Sequence, residues 1–91
     1  MPSPPRVSLR AVSAFVEVAD GGSFRQAADR MFLDASTVSK LVRRLEDELG
    51  HELLHRSTRR VALTARGIAT LDVARRLLDD AHALRAAAAS E

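Results

Sequence analysis

Apolar residues recur with helical spacing in four stretches of this chain and alternate in one. Leu9, Val12, Val16 and Ala19 form a stripe with Phe15 beside it, which predicts a first helix from Ser8 to about Asp20. Ser8 is its expected N-cap and Gly21-Gly22 its stop. Phe24, Ala27, Ala28 and Met31 stand at i, i+3, i+4 and i+7. With Ser23-Phe24-Arg25-Gln26 fitting the S-x-x-Q capping box, they predict a second, short helix. Phe32 and Leu33 read as a turn. A third helix is expected from Ala35 to Leu49, capped by Asp34 and ended by Gly50, with Val38, Leu41, Val42, Leu45 and Leu49 on its buried side. Leu53 and Leu54, a polar tip at Ser57-Thr58-Arg59-Arg60, and the alternating Val61-Ala62-Leu63 predict a two-stranded hairpin. Thr64 then caps a last helix running to about Ala88.

Helix, helix, helix, hairpin, long helix is the order of a winged helix-turn-helix with an appended linker helix, a mainly α fold. Residues 1–7, rich in proline, read as a disordered leader, residues 8–64 as the winged domain and residues 65–91 as the linker helix. In that last helix Ala74, Leu77, Ala81, Leu84 and Ala88 repeat at a heptad-like 4, 3, 4, 3, widened by Leu71 and Leu78. Part of this seam can pack on the domain, but its distal half reaches past anything a core of this size can cover. The exposed seam predicts a partner helix, most simply from a second copy.

Composition narrows the classes. A chain of 91 residues is one small domain, and without cysteine it has neither disulfides nor thiolate metal sites. No apolar run approaches the roughly 20 residues of a membrane span, and the leader lacks a signal peptide's apolar region. The expected setting is cytoplasmic, with no membrane partner and no cofactor. Net charge is only +2, but its distribution is uneven. From Arg56 to Arg66 there are four arginines and no acid, and Lys40, Arg43 and Arg44 form a second cluster. Acids collect at Glu46, Asp47 and Glu48 and at Asp79 and Asp80. Such clusters are equally ordinary solvated surface, so charge alone does not decide the function.

The third helix does more. Ser36, Lys40 and Arg43 lie opposite its apolar stripe, with Thr37 and Arg44 on the shoulder. A helix anchored by Leu and Val, and presenting hydroxyls and cations outward, suits a DNA major groove. Lys40, Arg43 and Arg44 are candidates for bases or phosphates, although pairing with Glu46, Asp47 and Glu48 would also account for them. Ser36, Thr37 and, less directly, Ser39 are hydroxyls near a helix N-terminus, suited to phosphate, bases or simple capping. Arg25, in the first turn of the second helix, and Arg10 are candidates for the DNA backbone. Ser57, Thr58, Arg59 and Arg60 form the wing tip, where arginine in a narrow minor groove would favour A·T-rich sequence.

These motifs resemble the DNA-binding domain of LysR-type transcriptional regulators. The matching pieces are F-V-x-V-A at Phe15 to Ala19, G-S-F-x-x-A-A at Gly22 to Ala28, and S-x-x-x-R-R-L-E-x-E-L-G at Ser39 to Gly50. L-x-x-R at Leu53 to Arg56 and R-x-V-x-L-T-x-x-G from Arg59 through Gly67 complete them. The resemblance implies a dimer joined by the linker helix, with two recognition helices (residues 35–49) in successive major grooves of a partly palindromic operator. The wing, residues 53–63, would reach the neighbouring minor groove. It also implies a bacterial regulator whose small-molecule effector binds a C-terminal domain that this chain lacks, so the chain is expected to be a fragment. Two positions depart from the pattern. Ala35-Ser36 replaces the usual Gln-Pro, leaving Ala35 only a methyl contact to offer a base. Asp34 stands where Ser or Thr is common, and its charge near phosphate is mildly unfavourable.

Two other classes compete. His51-Glu52-Leu53-Leu54-His55 spells H-E-x-x-H, a zinc hydrolase pattern that works on a helix, where both histidines share a face. Here it falls on the expected first wing strand, and extended backbone would hold the histidines roughly 13 Å apart. No third ligand is apparent, so the chain is not expected to be an enzyme. The remaining class is a protein-binding adaptor that uses the long helix alone.

Overall fold

The computed structural model describes residues 6–57 and 60–90. Ser8 accepts the Ala11 amide on its hydroxyl at 3.3 Å and starts helix α1, Leu9–Gly21. Gly22 ends the helix in the left-handed conformation, its amide donating to Val18 at 2.7 Å. Ser23 caps α2, Phe24–Met31, by accepting from the amides of Arg25 and Gln26. Asp34 caps α3, Ala35–Leu49, and Gly50 closes it. Strands β1, Leu54–Arg56, and β2, Val61–Leu63, pair antiparallel with Leu54 opposite Leu63 and Arg56 opposite Val61. Helix α4, Ala65–Ala89, follows from the Thr64 cap. The fold is the mainly α winged helix-turn-helix expected.

Helix α1 is the hub and packs on α2, α3, α4 and β2. Its stripe is centred differently from the expected one. Phe15 is wholly buried with Ala11, Ala14 and Val18, whereas Leu9 is 46% exposed and Ala19 half-buried. A buried Phe contributes roughly 3 kcal/mol by area, so centring the stripe on the ring outweighs exposing Leu9 at the helix end. Ala27 and Ala28 bring α2 close to its neighbours, and an exposed ion pair from Arg30 to Glu17 at 3.4 Å also joins α2 to α1. On α3, Val38, Val42 and Leu45 are buried and Leu41 half-buried, but Leu49 is 40% exposed. Val7, within the stretch expected to be leader, packs against the core.

The wing root is held by its backbone. The Thr64 amide donates to the Leu53 carbonyl at 3.0 Å, and the Thr64 hydroxyl donates to the Glu52 carbonyl at 2.7 Å while accepting from the Gly67 amide at 2.9 Å. This draws the first turn of α4 onto the chain at Leu53, and a β-carbon at Gly67 would collide with the Leu53 carbonyl oxygen. Further along α4, Arg75 forms an ion pair with Asp20 at the end of α1. Past Ala81 every described residue of α4 is exposed, in keeping with overall extents of 49 × 34 × 20 Å.

Gly67→Ala is therefore expected to destabilise the fold by about 3 kcal/mol or more. Glycine-to-alanine replacement inside an ordinary helix has the opposite sign, stabilising by roughly 0.5–1 kcal/mol. Urea denaturation followed by circular dichroism distinguishes the two, and an unchanged or raised midpoint would contradict the close approach.

Candidate nucleic-acid interface

The start of α3 is organised by one carboxylate. Asp34 Oδ1 accepts the Thr37 amide at 2.8 Å and the Ser36 hydroxyl at 2.9 Å. The Thr37 side chain and amide, followed by the Ser36 hydroxyl, hold the Asp34 carboxyl below its ordinary value, and Lys40 contributes in the same direction. Asp34 thus sits as a charged cap whose nearest cationic influence is Lys40, the first cation of the helix. Ala35, Ser36, Lys40, Arg43 and Arg44 are exposed along one side, while Thr37 and Ser39 are half-buried at its edge. The pattern is the expected one, a polar and cationic face on a helix anchored by Val38, Val42 and Leu45. Of the expected acid partners only Glu48 is realised, by Arg44 at 3.2 Å. Such an exposed pair is worth about 0.3–0.5 kcal/mol, too little to keep Arg44 from a phosphate. Among the described residues Lys40 and Arg43 form no ion pair.

Glu46 stands apart from Asp47 and Glu48, with which the sequence groups it. It is 9% exposed. Its Oε2 accepts the amides of Leu53 at 2.8 Å and Leu54 at 3.3 Å, and its Oε1 accepts from Arg56 at 3.0 Å. The signal was present in the sequence, since Glu46 stands four residues after Val42 and next to Leu45, at the edge of the buried stripe. Arg56 also lies over the Phe24 ring, 5.2 Å from its centroid. The start of α2 is thereby brought to the junction of α3 and the wing. Arg25, next in sequence to Phe24, is exposed there; Arg10 is exposed in the first turn of α1.

The hairpin turn closes on itself. Ser57 and Arg60 exchange backbone and side-chain hydrogen bonds, the Ser57 hydroxyl donating to the Arg60 carbonyl at 2.9 Å and accepting its amide at 3.0 Å. Arg60 is exposed at the base of the tip; Thr58 and Arg59 lie outside the described residues. His51 precedes β1 and meets Arg66 at 3.2 Å, whereas His55 is within β1. The H-E-x-x-H segment is therefore not helical and lacks the shared face its zinc chemistry needs.

The seam on α4 is divided. Ala74 is buried in the chain's own core, with Leu71 and Leu78 half-buried against it, so this part of the seam packs on the domain itself. Leu77 and Leu84 are 40% and 72% exposed, Ala88 is exposed and Ala81 half-buried. Val73 and Ile68, which the heptad reading omitted, are also exposed. Leu49, Val73 and Leu77 line an apolar cleft of about 260 Å³ whose floor includes Val12, Phe15 and Leu45.

These features define a winged helix-turn-helix module with a linker helix. Residues 9–68 match the model of the bacterial regulatory helix-turn-helix proteins of the lysR family, so the chain belongs to that family. It is 44% identical over 79 residues to the SDS degradation transcriptional activation protein of a Pseudomonas species, covering 87% of this chain and 26% of the relative. The chain thus spans about a quarter of that relative's length. Its structure is similar to that of oxidized Corynebacterium glutamicum OxyR, with a TM-score of 0.89 and 31% identity over 96% of this chain and 27% of the other. It also resembles the CbnR DBD–DNA complex protein, with a TM-score of 0.79 and 36% identity over 89% and 98% of the two chains.

The Asp34 cap has a testable pH signature. Because folding lowers its pKa, its stabilisation is fully present above the ordinary value of 3.8 and is lost as pH falls through the lower folded value. Asp34→Ala is expected to lower the melting temperature at neutral pH and to flatten its decline under acid. Asp34→Asn, which keeps the accepting oxygen, should retain most of the neutral-pH stability. Melting curves across an acid series check this, and equal acid sensitivity in Asp34→Ala and wild type would contradict it.

Proposed function

We propose that this chain is the sequence-specific, double-stranded DNA-binding part of a bacterial transcription regulator and acts as a homodimer. One observation carries the reading: α3 buries Val38, Val42 and Leu45 and turns Ser36, Lys40, Arg43 and Arg44 outward on a rigid, capped helix. Arginine and lysine supply affinity through phosphate, and this component weakens with salt. Base choice comes from Ala35, Ser36, Thr37, Lys40 and Arg43 in the major groove, with Ser39 at the edge and Arg44 released from Glu48. Arg60, with the rest of the tip, enters the flanking minor groove, while Arg25 and more weakly Arg10 meet the backbone. With Ala35-Ser36 at the helix start, a methyl and a short hydroxyl replace the longer amide common in the family. That favours contact with a thymine methyl at the facing position.

Residues 8–64 form the DNA-binding unit, and residues 65–91 join two copies. The second copy covers the outer side of α4, Leu77, Ala81, Leu84 and Ala88, together with the apolar cleft rimmed by Leu49 and Val73. Two such units space their half-sites near one helical turn or a multiple of it. In the whole protein a further domain would receive a small-molecule effector, and the site of action is the cytoplasmic nucleoid. No helix among the described residues is long and apolar enough to cross a membrane.

Lys40→Ala and Arg60→Ala are each expected to weaken binding about tenfold and to reduce the salt slope by about one. Fluorescence anisotropy over a salt series on a partly palindromic duplex and a composition-matched scramble measures both. Binding unchanged in both variants would favour an adaptor that works through α4 alone. Leu77→Asp with Leu84→Asp should convert the dimer to monomer in sedimentation equilibrium while leaving the melting transition cooperative. A dimer that persists would place the interface elsewhere.

A further inference from the structure

Glu46 closes the connection between α3 and β1 from both ends. Its backbone carbonyl accepts the amides of Gly50 at 2.8 Å and His51 at 3.2 Å, and its carboxylate takes the amides of Leu53 and Leu54 and the Arg56 guanidinium. Arg56 in turn rests on Phe24, the first residue of α2. One buried charge thus connects the recognition helix, the first wing strand and the start of α2, three of the places that carry candidate DNA contacts. Arg43 of the recognition helix and His55 of the wing strand open onto the same polar cleft, with Glu46 and Arg56 in its wall.

This arrangement is a poor device for stability alone. Moving a carboxylate out of water costs several kcal/mol, and well-packed apolar residues at such a site usually serve stability as well or better. What the charged network adds is direction. Apolar contact is indifferent to angle, whereas amides and a guanidinium around one carboxylate fix where β1 leaves α3.

Resting on the DNA reading above, we propose that Glu46 is a positioning residue, acting with Arg56, that sets the wing against the recognition helix. In doing so it determines how strongly the protein selects an A·T-rich minor groove beside its major-groove half-site. The half-site itself is read by residues 35–44 and does not depend on Glu46. The flank is read by the shape of a narrow groove, and that readout fails if the wing is misplaced.

The test is selection from a pool of randomised duplexes, with sequencing of the bound fraction, for wild type, Glu46→Gln and Arg56→Lys. Glu46→Gln keeps an oxygen for the Leu53 and Leu54 amides but loses the ion pair. Arg56→Lys keeps the charge but loses the planar fork. Wild type is expected to enrich a half-site core and an A·T-rich flank. Glu46→Gln, melting cooperatively, should enrich the same core while its flank preference falls from roughly tenfold towards one, with Arg56→Lys in between. An unchanged flank preference in Glu46→Gln overturns the inference, and so does loss of core and flank in equal proportion, which marks a merely structural residue. If Glu46→Gln does not fold, Arg56→Lys decides by the same measure, and full flank preference there overturns it. Failure of wild type to enrich any core sinks the DNA reading itself, an outcome distinct from a core without the expected dependence on Glu46.

Discussion

Leu53 has no freedom left in this structure, and most of the functional geometry follows from that. Its side chain is 1% exposed in the core, and its amide is held by the Glu46 carboxylate on α3. Its carbonyl accepts from Thr64 and sits against Gly67 at the start of α4. Three elements therefore meet at one residue: the recognition helix, the wing it introduces, and the linker helix. A buried backbone amide or carbonyl left without a partner costs about 1–3 kcal/mol, so displacing any of the three is penalised by all of them. The wing is a strand pair of three residues each and could not hold its own place; it is held at its root.

The charged groups separate into two kinds by burial. Pairs such as Arg44 with Glu48 and Arg30 with Glu17 are exposed, weak and easily exchanged for another partner. The Glu46–Arg56 pair is mostly shielded, with side-chain exposures of 10% and 21%, and breaking it strands a charge. On the proposed DNA reading, the first kind leaves Arg44 able to exchange Glu48 for a phosphate, and the second holds α3 and the wing still beforehand. Glu46, an acid of α3 three residues from Arg43, is turned inward to Arg56, and among the described residues Lys40 and Arg43 form no ion pair.

Element order, both glycine stops, the four polar helix caps and the strand positions are legible in the sequence. They depend on local chemistry: Ser8, Ser23, Asp34 and Thr64 supply the accepting oxygens, and Gly22 and Gly50 adopt φ of 69° and 77°. The exposed face of α3 was legible for the same reason, since periodicity alone separates Lys40 and Arg43 from Val38 and Val42. What escaped was tertiary. Nothing local distinguishes buried Glu46 from Asp47 and Glu48 except its place on the edge of the stripe, and its partners lie seven to ten residues away in sequence. The α4 heptad and its division between domain and outside are visible in the sequence, but not which residues fall on each side: Ala74, Leu71 and Leu78 on the core, Leu77 and Leu84 outside. Phe32 was assigned to the turn correctly, yet its φ of 57° and near-complete exposure have no signature in the residue itself.

On the proposed reading, α3, the wing and the first turn of α2 form one DNA-facing surface. Amide chemical-shift mapping during titration with a short duplex tests it directly. Large shifts at low salt are expected on residues 35–44, Arg60 and Arg25, with α4 beyond Ala74 little changed. Shifts confined to α4, or none at low salt, would contradict it.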